Sequence, residues 1–487
     1  MAGKADAKEE KGITAKKASD FSEWYTQTVI RSGFIDYTSV SGCIAFRPDS
    51  YFVWETLQKA LDQRFKGIGI SNAYFPMLIP EKHLNKEKEH VEGFNPEVAW
   101  VTHTGDSKLD ERLAIRPTSE TIIYDTIAKW IRSWRDLPLR LNQWCSVLRW
   151  EFKHPTPLLR SREFMWNEGH TAFATKEEAE EERAAVLKIY GDVLREYLAL
   201  PGVVGEKTQS EKFAGAVASY SIEHLLPEGK AIQGPDTHDY GNNFSKAFEI
   251  SFIDREGQKR YAYQNTFGFS TRELGAMVAV HGDDKGLVLP PKVARVQAVI
   301  VPIFKEDNKG KVLAAASRIS AELAKSIRAL LDDSDAYSPG WKFNQWEMRG
   351  VPIRIELGER DLSKDEATVV RRDTGKKESV PLAKLDKRVA ELLDEINEGL
   401  YGRAKEFLDT HTFKVKDYDE LKSIANSQKG IAQAPWCGSE ACEKSIKEET
   451  GAKITNMPLD AQAHLKGKKC IYCGKEAKHM ANFAKSY

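Results

Sequence analysis

A chain of 487 residues is too long for one ordinary hydrophobic core, so two to four domains are expected. With 72 Lys and Arg against 72 Asp and Glu the formal net charge is zero, so bulk charge announces no nucleic-acid partner and any basic surface must be local. Hydrophobic content of 41% and charged content of 30% fit a soluble globular protein, and no apolar run is long enough to span a bilayer.

The first eighteen residues, MAGKADAKEEKGITAKKA, mix both charges and lack an apolar stretch. That argues against a signal peptide or membrane anchor and predicts a solvated, mobile tail over 1–18. From Ser50 to Lys66 apolar residues recur at helical spacing (Phe52, Trp54, Leu57, Ala60, Leu61, Phe65), which predicts a helix. A turn-rich GIGISN follows, then AYFPMLIP, which reads as an edge strand because it tolerates a proline. In AIRPTSE, Thr118 is a candidate N-cap for the next helix.

Between Leu141 and His170 the chain reads LNQWCSVLRWEFKHPTPLLRSREFMWNEGH. This is a strand carrying Arg149, a polar loop bent by Pro155 and Pro157, and a return segment carrying Arg160 and Arg162. Guanidinium groups facing each other across a hairpin suit a planar purine and a polyphosphate, because arginine stacks on rings and forks onto phosphate oxygens. Each arginine alone could equally be a surface ion pair.

Thr175 and Glu178 form a capping-box pattern opening a long amphipathic helix to about Leu200. Residues 245–253 and 258–267 alternate around DREG and predict a hairpin. FGFSTRELGAMVAVHG reads as a strand feeding a small-residue helix, before a Gly/Pro-rich exit that marks a domain boundary. From Ala294, strands (VQAVIVPIF, VPIRIEL, ATVVRRD, ESVPL) alternate with predicted helices over Lys311–Leu331 and Leu382–Leu408, implying an α/β unit. In the last segment Cys437-x4-Cys442 and Cys470-x2-Cys473 pair closely. Four thiolates suit a structural, tetrahedral zinc ion in a reducing compartment, with His464 or His479 as possible replacements for one thiolate and disulfides as the other reading. Cys43 and Cys145 stand alone and read as small buried hydrophobes.

RPTSE, the RWE…R hairpin, WNEGH, STREL and HGDDKGLVLPP stand in the order found in prolyl-tRNA synthetases, and the sequence resembles that family over most of its length. The hairpin resembles motif 2 of the class II aminoacyl-tRNA synthetases, the segment from Ser50 to Pro80 resembles motif 1, and STREL resembles motif 3. The resemblance implies an α+β catalytic domain on an antiparallel class II sheet over 19–291. It also implies an α/β anticodon-binding domain over 292–408 and a small C-terminal α+β zinc domain over 409–487. The implied activity is ATP-dependent attachment of L-proline to tRNA(Pro) through prolyl-adenylate, by a cytoplasmic homodimer with no membrane association. Mg2+ would bridge the phosphates of ATP.

The same resemblance assigns roles. Arg149, Arg160 and Arg272 become the charge stabilisers. Arg149 is the α-phosphate and carboxylate ligand, Glu151 an adenine contact, Arg160 a distal-phosphate ligand, and Arg272 the cation stacked on adenine. Gln233 is a further ATP contact, or else an exposed turn residue beside Gly234-Pro235. Thr118 and Glu120 provide the anion and hydroxyl for a secondary ammonium. Trp166, Glu168, His170, Phe213, His238 and Ser270 match the remaining proline-pocket positions. Trp166 and Phe213 also fit a core role, His238 a satisfied structural histidine, and Ser270 a helix cap. Pro235-Asp236-Thr237 departs from the family pattern. Glu347, Arg354, Arg360 and Lys376 are the candidates for reading two anticodon guanines; a solvated charge pattern is the alternative. Only ninety-five positions separate His170 from Asn265, so the editing insertion of some relatives looks absent. Alanine activation without hydrolysis of Ala-tRNA follows as an expectation. The chain ends in Tyr487, which in relatives of this type approaches the active site.

Overall fold

The structure is a computed structural model that describes residues 12–84, 97–151 and 153–487. Helix α1 (Phe21–Arg31) starts where the Asp20 carboxylate accepts from the Glu23 amide, and α2 (Pro48–Gly67) starts on a proline that needs no amide donor. Most of the apolar spacing read in α2 becomes its buried face: Trp54, Leu57, Ala60, Leu61 and Phe65 lie in the core, whereas Phe52 is only half-buried and Val53 takes its place. Fully burying each large side chain stabilises by about 1.5–3 kcal/mol. Helices α3 (Glu120–Ile127), α4 (Lys176–Leu198) and α5 (Arg272–His281) also belong to the first domain. The Thr175–Glu178 capping box forms at α4, with both reciprocal bonds present.

Part of the expected tail is not solvated. Thr14 bonds Gln27, and Lys17 Nζ donates to the Val280 carbonyl at 3.1 Å and the Gly282 carbonyl at 2.6 Å, where α5 leaves its last carbonyls without helical partners. The rest of that tail, 1–11, lies outside the described residues.

The functional scaffold is a central sheet. Its catalytic strands are β1 (Ser71–Asn72), β2 (Leu139–Leu148), β3 (Glu163–Phe173), β4 (Val203–Glu206), β5 (Ala218–Leu225), β6 (Ala231–Gly241) and β7 (Tyr263–Ser270). They run in the order β4-β5-β6-β7-β3-β2-β1, antiparallel throughout except that β1 pairs parallel with β2. The predicted motif-2 hairpin is β2–β3, in continuous register from Leu139↔Ala172 to Leu148↔Glu163. The predicted hairpin over 245–267 is shorter. Only Ser251–Ile253 and Lys259–Tyr261 pair, because Asn243–Ala247 is helical and sends Phe244 and Phe248 into the core beside Tyr124.

The second domain is a five-stranded mixed sheet, formed by β8 (Ala298–Ile303), β9 (Ala329–Leu331), β10 (Ile353–Gly358), β11 (Glu366–Arg371) and β12 (Lys377–Pro381). It is covered by α6 (Lys309–Leu323), α7 (Pro339–Met348) and α8 (Leu385–Thr410). The helix predicted to Leu331 stops at Leu323: Ala329–Leu331 pairs instead with β8, where its amides gain strand partners. Several ion pairs lock this domain to the first. Arg372 holds Asp283 through two bonds of 2.6 and 2.7 Å, and Arg349 holds Asp49 at 2.6 Å.

The C-terminal segment contributes β13 (Thr412–Lys414), β14 (Ile431–Trp436), α9 (Glu440–Thr450), β15 (Lys453–Pro458) and β16 (His479–Ala484). Its strands are not a separate sheet. β15 pairs with β4 through Met457↔Glu206 and Pro458↔Gly205, so the described strands continue as one sheet of eleven. The third unit has its own small core, around Leu421, Trp436, Ile446 and Phe483, but shares the catalytic sheet. The last residue is anchored: Tyr487 N donates to the Ala231 carbonyl at 2.9 Å, and its ring is half-buried near Thr156 and Arg160 of the motif-2 loop.

Candidate active site

Two adjoining cavities open on one face of the central sheet. The first, of about 240 Å³, is lined by Thr118, Glu120, Arg149, Trp166, Glu168 and His170, and also by Phe213, Gln233 and His238. The second, of about 100 Å³, is lined by Leu158, Leu159, Ser161 and Phe164 from the hairpin, and by Ser270 and Arg272 from the end of β7 and the start of α5. Arg149, Trp166, Gln233, Asp236 and Gly268 border both. The sheet thus brings together eleven of the thirteen site residues expected in this domain. Glu151 and Arg160 lie exposed on the hairpin and line neither cavity.

Arg149 leaves the end of β2, where its Nε donates to the Pro117 carbonyl at 2.9 Å. Its guanidinium sits 5.3 Å from the Trp166 ring centre and 5.4 Å from that of Phe164. One face is therefore packed on aromatics and the charge is held where the cavities meet. Arg272 is fixed by donating to the Leu159 carbonyl at 3.2 Å and the Gln233 carbonyl at 3.1 Å. Thr271, not Ser270, takes the cap position of α5, without a side-chain bond; the Ser270 hydroxyl, one residue earlier, lines the cavity and accepts from the Arg272 amide at 3.3 Å.

Thr118 is not the helix cap; Ser119 takes that position without a side-chain bond, and the Thr118 hydroxyl donates to Glu120. The other Glu120 oxygen accepts from Tyr240 at 3.0 Å. Beneath them Glu168 is buried. It accepts from the Ser119 hydroxyl, from Gln143 at 2.8 Å and from Cys145 at 3.3 Å, and lies 3.3 Å from His170 Nε2. Burial pushes its carboxyl up, but His170, Ser119 and Gln143 together outweigh that and hold it below the usual carboxylate range. Its contribution to stability is complete above the unfolded value of about 4.3 and is lost as pH falls through the depressed folded value. Glu168→Gln should flatten the acid limb of a stability–pH curve; an unchanged limb would show that this carboxylate is not part of it.

Cys145 is not a small buried hydrophobe. It is half-buried, donates to Glu168 and accepts from Trp166 Nε1 at 3.3 Å. Phe213 stacks on His238 with ring centres 4.8 Å apart, and the Ser219 hydroxyl ties the pair by accepting from the Phe213 amide at 3.0 Å and lying 2.8 Å from His238 Nδ1.

Gln233 lies in strand β6 rather than in a turn. The register between β5 and β6 shifts there, from Glu223↔Gln233 to Ser221↔Asp236, so two residues of β6 stand opposite Ile222. Such a bulge resets the side-chain alternation. Gln233 and Asp236, three apart, therefore share a face, and Gln233 Nε2 donates to Asp236 at 2.7 Å. Gly234 is needed for this approach: a Cβ there would stand 2.6 Å from His224 Nε2 and 2.8 Å from the Ile222 carbonyl.

Sequence reading missed Asp236, Lys207, Glu211, Ser219 and Ser221, which also line the first cavity. Asp236 could have been found as the carboxylate of the departing loop; the others carry no local signal. Lys207 is buried against Glu223 at 2.6 Å. Burial pushes the Glu211 carboxyl up, but Lys453 and Lys447 outweigh this and leave it below the usual range.

The anticodon candidates lie on different elements. Glu347, on α7, accepts from Lys285 at the domain boundary, and Arg354 is forked onto Glu356. Arg360 and Lys376 are exposed, and no hydrogen bond or ion pair joins any two of the four. The four cysteines do converge: all are free thiols with ligand atoms within 4.8 Å of one another, the sole such cluster among the described residues. Sulfurs about 2.3 Å from a tetrahedral ion stand about 3.8 Å apart. Cys437 Sγ lies 3.7 Å from both Cys442 and Cys473, so the set fits such an ion. His479 is not in the cluster, and the side chain of His464 lies outside the described residues.

Residues 100–281 match the tRNA synthetase class II core domain (G, H, P, S and T), residues 297–392 an anticodon binding domain, and residues 418–487 the prolyl-tRNA synthetase C-terminal family. A proline--tRNA ligase 2 of Bacillus cereus is 48% identical over 99% of this chain and 100% of its own length. A proline--tRNA ligase of Alkaliphilus oremlandii is 48% identical over 96% of each chain. The crystal structure of prolyl-tRNA synthetase from Cryptosporidium parvum, in complex with halofuginone and AMPPNP, superposes with a TM-score of 0.93 at 45% identity, covering 98% of this chain and 99% of that one. With the class II sheet, the paired cavities and full-length relatives at this identity in agreement, the chain belongs to the prolyl-tRNA synthetase family.

Proposed function

We propose that this chain uses ATP to attach L-proline to tRNA(Pro) through a prolyl-adenylate. The observation that carries the reading is the junction at Arg149, one fixed guanidinium bordering a polar, aromatic-walled slot and a recess lined by Arg272. Proline's secondary ammonium meets Glu120 and the Thr118 hydroxyl, its ring lies among Trp166, Phe213 and His238, and Glu168 and His170 brace the floor. The carboxylate then faces Arg149. A carboxylate oxygen attacks the α-phosphorus, a new C–O–P bond forms, the bridge to the β-phosphate breaks, and pyrophosphate leaves. This step needs in-line placement and positive charge where negative charge grows, which arginines supply without a covalent intermediate. Arg272, with Ser270 and Gln233 beside it, takes the adenine face. The reading assigns Glu151 to adenine and Arg160 to the distal phosphates, from the hairpin whose Leu158, Leu159 and Ser161 line the second cavity. The terminal ribose 3′-hydroxyl of tRNA next attacks the prolyl carbonyl and AMP leaves.

Magnesium takes hard oxygen ligands. Asp236 borders both cavities, and no cluster of three acidic or histidine groups lies there among the described residues, which fits an ion arriving on the nucleotide's own phosphates. When bound it neutralises phosphate charge. Zinc suits the four-thiolate set, in a reducing, cytoplasmic setting; no described helix is long and apolar enough to cross a membrane. Glu347, Arg354, Arg360 and Lys376 remain the proposed anticodon readers. Tyr74, Met77 and Leu78 of the motif 1 segment, and Trp130, whose ring centre lies 5.9 Å from that of Phe75 in that segment, are exposed large apolar side chains, which supports a second copy of the chain as their cover.

ATP–pyrophosphate exchange across a panel of amino acids tests the reading. Proline should dominate, and alanine should give measurable exchange roughly 10²-fold or more below it, since each missing methylene costs about 1–3 kcal/mol. Purified enzyme should leave Ala-tRNA intact. Absence of proline-dependent exchange would end this assignment.

A further inference from the structure

The loop that carries Phe213 is held at one end by the C-terminal unit. It joins β4 to β5 across residues 207–217, and its first half makes four contacts with the distant segment. Lys207 Nζ donates to the Thr455 carbonyl at 2.7 Å. The Thr208 hydroxyl donates to Glu443 at 2.9 Å. Glu211 accepts from Lys453 at 2.6 Å and from Lys447 at 3.3 Å. Two residues beyond Glu211, Phe213 stacks on His238 inside the first cavity. The partners are not scattered. Glu443 and Lys447 lie four apart on α9, hence on one face of that helix, and Cys442, next to Glu443 in the chain, belongs to the four-cysteine cluster. Lys453, through its side chain, and Thr455, through its carbonyl, both stand on β15, the strand that continues the catalytic sheet. The C-terminal unit thus meets the loop with a helix that carries Cys442 of the four-cysteine cluster and a strand anchored in the sheet.

We infer that Lys447, Lys453 and Glu443 are positioning residues for proline: the C-terminal unit holds the 207–213 segment so that Phe213 closes the amino-acid slot. This deepens the reading above and rests on it. None of the three borders the second cavity, which is built from the hairpin, β6, β7 and α5. The coupling should therefore act on proline and spare ATP. Loosening one end of the loop lets Phe213 leave His238, and the ring of proline loses a wall.

The test is a split of Michaelis constants in ATP–pyrophosphate exchange, with wild-type enzyme run in parallel. Wild-type exchange with proline tests the functional reading itself; only the variants bear on the coupling. A Lys447→Ala/Lys453→Ala double variant should raise KM for proline roughly three- to tenfold, in the range of coupled neighbours, with KM for ATP within twofold of wild type. Lys447→Arg/Lys453→Arg keeps both charges and should restore it. Thr208→Val, at a residue that lines neither cavity, removes the loop's bond to Glu443 and leaves the C-terminal unit untouched; it should raise KM for proline and spare ATP, and combined with the alanine pair it should cost less than the product of the two. Equilibrium binding of proline by calorimetry should weaken by the same factor. Equal rises in both constants, an unchanged KM for proline, or additive losses on combining the variants would overturn the inference. Should the alanine pair fail to fold, Thr208→Val and the arginine pair still decide it.

Discussion

Arg149→Ala should lower kcat/KM for proline-dependent ATP–pyrophosphate exchange by about 10³-fold, the scale of losing a preorganised charge at a transferring phosphoryl group. Two features make this the most damaging single change. Its guanidinium borders both cavities, so ground-state binding of proline and of nucleotide should each weaken, in addition to the loss at the reacting phosphorus. Its position is also fixed, by the Pro117 carbonyl and by the Trp166 and Phe164 rings. Lysine cannot reproduce a planar fork that meets one carbonyl and an anion together, so Arg149→Lys should recover little. Steady-state exchange with separate titrations of proline and ATP checks this, with circular dichroism to confirm folding. Activity within tenfold of wild type would remove Arg149 from the reaction.

The second large effect concerns the cysteine cluster. Cys437→Ser/Cys470→Ser should abolish metal binding and unfold the C-terminal unit at ordinary temperature. Structural zinc sites carry an apparent binding free energy of about 10–16 kcal/mol, comparable to the whole stability of a domain. The small core that includes Trp436, Ile446 and Phe483 also contains Cys437, Cys442 and Cys470, so burial and metal binding are the same event there. Metal analysis should find one zinc per chain in wild type and none in the variant. Calorimetry should show a new low-temperature transition. A variant with wild-type melting and no metal would show that packing alone holds the unit. Because β15 pairs with β4, the catalytic sheet should also lose protection at that edge.

Elements governed by local rules were legible in the chain itself. The spacing of Trp54, Leu57, Leu61 and Phe65 specified the buried face of α2. Thr175 and Glu178 specified where α4 begins, and Cys437, Cys442, Cys470 and Cys473 specified a four-thiolate cluster. The motif-2 arginine at the end of β2 could be located the same way. These signals survive because period, cap and ligand spacing involve residues within a turn or a hairpin of one another. Errors arose where a distant partner decided. Ala329–Leu331 left a helical pattern to pair with β8, Lys17 was drawn from a polar tail to the open carbonyls at the end of α5, and Cys145 was recruited into the Glu168 network.

What the sequence by itself determined is the set of chemical groups: three arginines, a carboxylate–hydroxyl pair, aromatic walls and four thiols, in an order shared with one family. What only the tertiary structure decided is which of them meet. The bulge in β6 turned Gln233 and Asp236 to one face. The pairing of β15 with β4 brought Lys447 and Lys453 to Glu211 across more than two hundred residues of chain. Register and sheet order depend on hydrogen bonds between remote strands, and no local pattern of side chains encodes them.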